Sequence, residues 1–461
     1  MKLALALVLN AALLAVLLPW LRREWQDAPQ PLRRVLLPGL VLRLLIGGII
    51  GLHLVQDAYW MSELGLSLTR LFWADPGKAF HYMMGDSYRL AGWNLVHYGT
   101  VNSFLITSNS FFISKLLVGL NLGSLGANWL NGVYLSLFVF VGSWKLARVM
   151  ARNFPAIPAG AGALALVLWP TVLAFASGMK KETLLLGSGT WLVALVVQWL
   201  YQNPKSLDVT DAAQRRTRII PVGVIGLLLL ALLHFKIRYF FAAPLLGVIG
   251  GLLVIGLGQR LGFAKSRISQ ALILLAVLGA GTWLGSELTP VISVNKFTSQ
   301  LMTIYNHHLQ VSDGKPHFEY PDLLPTGESV MRHTPVPVWN TFSRPWIGES
   351  WSLPYVIAGL DNLAILALVL LAGWAAVRGR AGRLPFALGL ALTVYCLLLA
   401  ALIGLSTPNL GTMHRYRSAL LPFLLLLLLQ NDYAARLLQR IGLGNGPSRA
   451  AERAVSLPLS L

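Results

Sequence analysis

The chain has 461 residues, 56% of them hydrophobic and only 12% charged, with a mean hydropathy of +0.64 and a formal net charge of +19. No soluble domain of this size carries so much apolar surface, and continuous apolar runs of about 20 residues indicate membrane-spanning helices rather than the alternating segments of a β-barrel. The positive charge lies in short loops between these runs. It therefore reads as membrane topology and attraction to anionic lipid, with no nucleic-acid partner.

About eleven spans are predicted. The first, 3–20, has no small-residue cleavage site and is followed directly by Arg22 and Arg23, so it is expected to remain as a span. The second covers 35–55. The next seven lie near 127–147, 156–176, 183–201, 219–235, 239–258, 269–286 and 353–377, and the last two near 384–405 and 418–431. The expected fold class is all-α: a polytopic membrane helix bundle over residues 1–434, followed by a cytoplasmic tail, 435–461. Two outer loop regions interrupt it. Residues 56–125 hold short amphipathic stretches, 64–72 and 111–122, that read as interfacial helices. Residues 288–351, rich in Pro, His, Asp and Glu, read as an irregular but ordered loop. Every second connection is basic, from Arg22, Arg23, Arg33 and Arg34 to Arg436 and Arg440. That alternation predicts an N-terminus outside and a C-terminus in the cytoplasm. Cys396, the only cysteine, lies in an apolar run, which excludes an intrachain disulfide and a thiolate metal site.

The polar chemistry gathers on the predicted outer side. It comprises Ser177-Gly178-Met179-Lys180-Lys181-Glu182, His234 to Tyr239 including Arg238, and His414-Arg415-Tyr416-Arg417. Short outer turns are normally poor in Lys and Arg, so these exceptions ask for a local anion, and phosphate suits Arg forks and Lys point charges. Exposure beside lipid headgroups is the alternative. Glu182 is expected to pair with Lys180 or Lys181, or to sit in the first turn of its span, where the helix dipole favours it. Asp361, inside a predicted span, needs a partner such as Asn362 or a cation, or a functional role. Arg43 is expected to snorkel to the cytoplasmic side. His307, His308, His317 and His333 lack helical His-x-x-x-His spacing and do not read as a metal site.

Asp86, with Tyr88, Ala91 and Gly99 following, resembles the first outer loop of the polyprenyl-phosphate-dependent glycosyltransferases, the glycosyltransferase C superfamily. Pro170 followed by Ser177-Gly178 and Lys181-Glu182, Phe342-Ser343-Arg344-Pro345-Trp346, and Arg415-Tyr416-Arg417 before Pro422 are similar to related proteins of bacterial polysaccharide pathways. Two features differ: Asp86 is followed by Ser87 rather than a second acid, and an extra span precedes the usual first one. The resemblance implies a glycosyltransferase C-like core in a bacterial inner membrane, with Asp86 as general base or metal ligand. Capping of a helix is the alternative role for Asp86. Lys180, Lys181, Glu182, Arg238, Tyr239, His414, Arg415 and Arg417 are the implied substrate- and lipid-phosphate-binding residues. The metal, if one is used, would be a divalent cation such as Mg or Mn. The implied reaction moves a sugar from a polyprenyl-phosphate carrier to a glycan or lipid acceptor at the periplasmic face. A polymerase or ligase of lipid-linked oligosaccharides is the alternative enzyme. A transporter, flippase or assembly subunit of a polysaccharide export machine, with other assembly proteins as partners, is the non-enzymatic alternative.

Overall fold

The computed structural model describes residues 1–84, 109–202, 209–288 and 294–444. Every regular element among them is helical, apart from an isolated bridge between His317 and Asn409. In chain order the helices are α1 Lys2–Asp27, α2 Gln30–Leu52, α3 Gln56–Ala74, α4 Pro76–Met84, α5 Asn109–Ser124 and α6 Asn128–Asn153. Next come α7 Ala159–Ala163, continued by a π-turn over Leu164–Leu168, then α8 Pro170–Phe175, α9 Lys181–Tyr201, α10 Val209–Ile237, α11 Tyr239–Leu261 and α12 Arg267–Leu288. The chain finishes with α13 Val294–Gln310, α14 Gly327–His333, α15 Pro335–Ser343, α16 Leu353–Val377, α17 Phe386–Ser406, α18 Leu410–Arg417, α19 Leu421–Leu428 and α20 Asp432–Arg440.

Eight of the described helices are long and apolar enough to cross a membrane, or nine with α19 and α20 counted as one bent pair. The protein is thus a multi-pass helical membrane protein, and among the described residues two of the eleven expected spans are interrupted. The expected span at 156–176 is in pieces. Its ladder widens into the π-turn and then stops at Trp169, because Pro170 opens α8 and has no N–H to give. The expected span at 418–431 is also divided. Pro422 sits in the first turn of α19, and Asn431 caps α20 by accepting from the N–H groups of Tyr433 and Ala434, which starts a new helix after a 100° bend. In the expected span at 219–235, the described apolar stretch is Gly223–Ile237, the end of the longer α10.

Arg43 departs from the snorkelling expectation. Its side chain is fully buried in the bundle. Nη2 donates to the carbonyl of Leu166 at 3.2 Å and Nη1 to that of Ala176 at 3.3 Å. These carbonyls lie at the interrupted ends of the broken span, where no helical N–H answers them. An arginine fork replaces the missing ladder.

The broken span packs beside α2 and α6, which approach closely. A side chain at Gly132 would put its Cβ 2.3 Å from the carbonyl oxygen of Gly47, so only glycine lets these backbones meet. Along 56–125, α3 and α5 pair through Ser114 Oγ donating to the Met61 carbonyl and Asn121 donating to Thr69 Oγ1. Within the expected irregular loop, the described residues 294–343 carry α13, α14 and α15, with Thr326 capping α14.

Contacts sort the connections onto two ends. Arg34 donates to the carbonyl of Gly442, Arg148 pairs with Glu24, and the amide of Asp432 reaches the carbonyl of Arg380. The α1–α2 connection, the end of α6, the α16–α17 connection and the segment around α20 therefore share one end. The turn after α8, the α10–α11 junction and the end of α18 meet elsewhere, around Glu182.

Candidate functional site

The turn from α8 to α9 builds the site. Gly178 takes a left-handed conformation with φ of +73°, and its amide donates to Ser136 Oγ at 2.8 Å. A Cβ there would meet Ile50 at 2.8 Å, so both conformation and space require glycine. Lys180 follows in extended conformation. Its Nζ donates to the carbonyl of Ala174 at 2.8 Å and lies over the Phe175 ring.

Glu182 stands in the first turn of α9, as the helix-dipole argument expects. Its partners differ from the neighbouring lysines expected by sequence. It is 1% exposed, and its Oε1 faces Arg238 Nη2 at 3.4 Å and Arg415 Nε at 3.3 Å. These are charge contacts without aligned hydrogen bonds: Glu182 Oε1 and Arg415 Nε both lack a hydrogen-bond partner among the described residues. Both guanidinium groups also approach the Tyr416 ring, Arg238 at 3.9 Å from its centre and Arg415 at 5.1 Å.

Electrostatics keep this end cationic. Burial alone would lower the Arg238 pKa, but Tyr416, Glu182 and Asp57 outweigh it and leave that pKa above its ordinary value. Burial lowers Lys180 to about 8, with Arg415 acting in the same direction and Glu182 opposing. His308 on α13 is pushed down to about 4, first by burial and then by His307, Arg238 and Arg415, so its imidazole is neutral at pH 7. Four cations, Lys180, Lys181, Arg238 and Arg415, thus gather around two carboxylates, Glu182 and Asp57.

Beside this cluster opens a cavity of about 400 Å³. Lys181, Arg238 and His308 line its polar side, and Phe240, Phe297 and Leu301 its apolar side. Tyr239 also lines it. Its hydroxyl donates to Gln300 Oε1 at 2.7 Å, which ties the start of α11 to α13. Such a space accepts a small anionic group with an attached hydrocarbon.

The expected set therefore divides. Lys180, Lys181, Glu182, Arg238, Tyr239 and Arg415 come together. Arg417 and His414 turn inward instead. Arg417 donates to Asn362 Oδ1 at 2.6 Å and to the carbonyls of Thr341 and Arg344, and its Nη2 lies 4.0 Å from Asp361. Asp361 accepts from Thr171 Oγ1 at 2.5 Å, and His414 Nδ1 faces Arg417 at 2.9 Å. The guanidinium is engaged by backbone carbonyls and an internal acid. This joins α15, α16 and α18 to the broken span and supplies Asp361 with the cation it required.

Asp86 lies outside the described residues. The exposed acid that the described structure brings to the cluster is Asp57, in the first turn of α3, whose charge acts on Lys181, Arg238 and His308. Its position in a helical first turn was readable, but its nearness to α9 and α13 was not. No group of three or more His, Cys, Asp or Glu among the described residues could hold a metal ion. With Glu182 committed to two arginines, Asp57 alone is a poor divalent-cation site. Compared with known proteins, the chain matches no family model, no curated protein and no solved structure.

Proposed function

We propose that this protein is a glycosyltransferase C-like membrane enzyme. It transfers a sugar from a polyprenyl-phosphate carrier to a glycan or lipid acceptor at the periplasmic face of a bacterial inner membrane. One observation carries the reading: the cavity joins a cationic rim, Lys181 and Arg238, to a wall of Phe240, Phe297 and Leu301. A phosphate esterified to an isoprenoid has the matching halves. In the proposed step the bond between the sugar anomeric carbon and the carrier phosphate breaks, and the acceptor oxygen bonds to that carbon. The acceptor proton passes to a carboxylate, and the carrier leaves with the electron pair as its phosphate. Arg238, Arg415 and the lysines stabilise that developing charge. Asp86, by resemblance, or Asp57, by proximity to the cations, serves as the base.

A transporter or flippase is the second reading. It is favoured by the interrupted span at Trp169-Pro170 and the buried charges Arg43 and Asp361 around it. Both readings are tested in a strain lacking the native copy. The enzyme reading expects a polyprenyl-phosphate sugar to accumulate on the outer leaflet and its glycan product to be lost. Asp57→Asn and Asp86→Asn would separate the two bases, with a loss of about 10²–10⁴-fold for the true one. Accumulation on the inner leaflet instead would shift the conclusion to transport. Unchanged carrier pools would sink both readings.

A further inference from the structure

A second cavity, of about 290 Å³, opens at the other end of the bundle between α1, α6 and α9. We propose that it binds an anionic glycerophospholipid, with the phosphodiester held by Lys145 and Arg152 and the acyl chains lying along α1. The site is independent of the function proposed above.

Three features carry the assignment. First, Lys145, Arg148 and Arg152 recur at helical spacing along one face of α6, and all line the cavity. One carboxylate, Glu24, is present, and it is already used: Arg148 Nε lies 3.1 Å from Oε2, and Trp144 Nε1 donates to the same oxygen at 2.9 Å. Lys145 and Arg152 have no ion pair among the described residues. Second, Lys145 lies eight residues before Asn153, about 12 Å along the helix axis from its end. Its ammonium rests over the Trp191 ring at 4.7 Å, so it is a cation held at depth beside an aromatic plane. A soluble anion has little reason to descend there, whereas a lipid phosphate arrives from the side. Third, α1 exposes most of its apolar surface, with Leu13 and Val16 preceding Trp20 on the face at the cavity edge. Trp at this position suits the headgroup boundary, and Gln198 and Gln202 offer donors and acceptors to a polyol headgroup.

Delipidated protein in neutral detergent, titrated with phosphatidylglycerol or phosphatidylcholine and read by native mass spectrometry, tests the site. Two cations with no ion pair among the described residues predict about a thirtyfold preference for phosphatidylglycerol. The double variant Lys145→Gln, Arg152→Gln should lose it, while Arg436→Gln, an exposed change at the same end, should keep it. A double variant that keeps the preference overturns the proposal. So does displacement of the lipid by equimolar inorganic phosphate or glycerophosphoglycerol, which would mark a soluble-anion site. If the double variant does not fold, phosphatidylglycerol with a photoreactive headgroup, applied to the unmodified protein, decides. Adducts within 141–152 or 20–24 support the site, and adducts confined elsewhere overturn it.

Discussion

Arg238 Nη2 lies 3.4 Å from Oε1 of Glu182, the same oxygen that Arg415 approaches at 3.3 Å. One carboxylate oxygen therefore serves two guanidinium groups from separate junctions of the chain, without a well-aligned hydrogen bond to either. A phosphate presents three oxygens and more charge, and satisfies two arginines better than one carboxylate oxygen can.

Glu182→Gln tests that relationship. Losing the buried counter-charge should lower the melting temperature in detergent. Breaking a buried pair costs about 3–5 kcal/mol, and the cost here belongs at the low end because Arg415 is partly exposed. Polyprenyl phosphate should then raise the melting temperature of the variant more than that of the native protein, since the lipid restores the missing anion. Equal ligand-induced shifts would show that Glu182 and the ligand do not share the arginines.

The pH dependence of lipid-phosphate binding should follow Lys180 and Lys181. Burial brings both pKa values to about 8. The ammonium forms therefore predominate at pH 7 and are lost as pH rises through 8. Affinity for polyprenyl phosphate should fall about thirtyfold between pH 7 and 9 as the two charges disappear. The double variant Lys180→Arg, Lys181→Arg stays charged over this range and should flatten the profile. A profile with the same slope in both proteins would exclude the two lysines as its source.

Arg43→Met should loosen the broken span without a large change in global stability. Two carbonyls would lose their donor at about 1–3 kcal/mol each, while the several-kcal/mol desolvation of a buried guanidinium is removed. These nearly balance, so hydrogen exchange is the informative measurement. Amides in 169–182 should exchange faster in the variant, and those of α11 should not. Unaltered protection over 169–182 would mean the arginine does not hold the break closed.

Gly132→Ala should destabilise the α2–α6 contact by about 1–3 kcal/mol, because a methyl at 2.3 Å from the Gly47 carbonyl forces two backbones apart. Gly119→Ala, where a Cβ meets nothing within 4 Å, should be neutral or stabilising by helix propensity. Thermal melts in detergent of the two variants, compared directly, check the contrast.

Hydropathy and the basic loops were sufficient to read a multi-pass helical bundle, because lipid imposes long apolar helices and charge asymmetry. The meeting of Lys180, Lys181, Arg238 and Arg415 was legible for a similar reason: cations in short turns on one expected face have few places to go. Partner choice was not legible. Glu182 selects arginines remote in sequence over adjacent lysines, because the first turn of α9 points it into the bundle rather than along its own turn. Arg417 looked identical to Arg415 in sequence, yet two residues along a helix turn the side chain by about 200°, toward Asp361 and Asn362. Arg43 was misread because snorkelling considers one helix in lipid. Its burial depends on a neighbouring span whose interruption at Pro170 exposes carbonyls.

Arg43 also has a consequence for biogenesis. Its acceptors, Leu166 and Ala176, lie 123 and 133 residues downstream, so at about 5–20 residues per second they leave the ribosome roughly 6–27 s later. Until then α2 carries a guanidinium that penalises insertion by about 2.5–3.5 kcal/mol at mid-helix, against an otherwise strongly apolar segment. The helix therefore enters the bilayer early and settles late. The buried position of Arg43 can be reached only after the broken span that supplies its acceptors has been made.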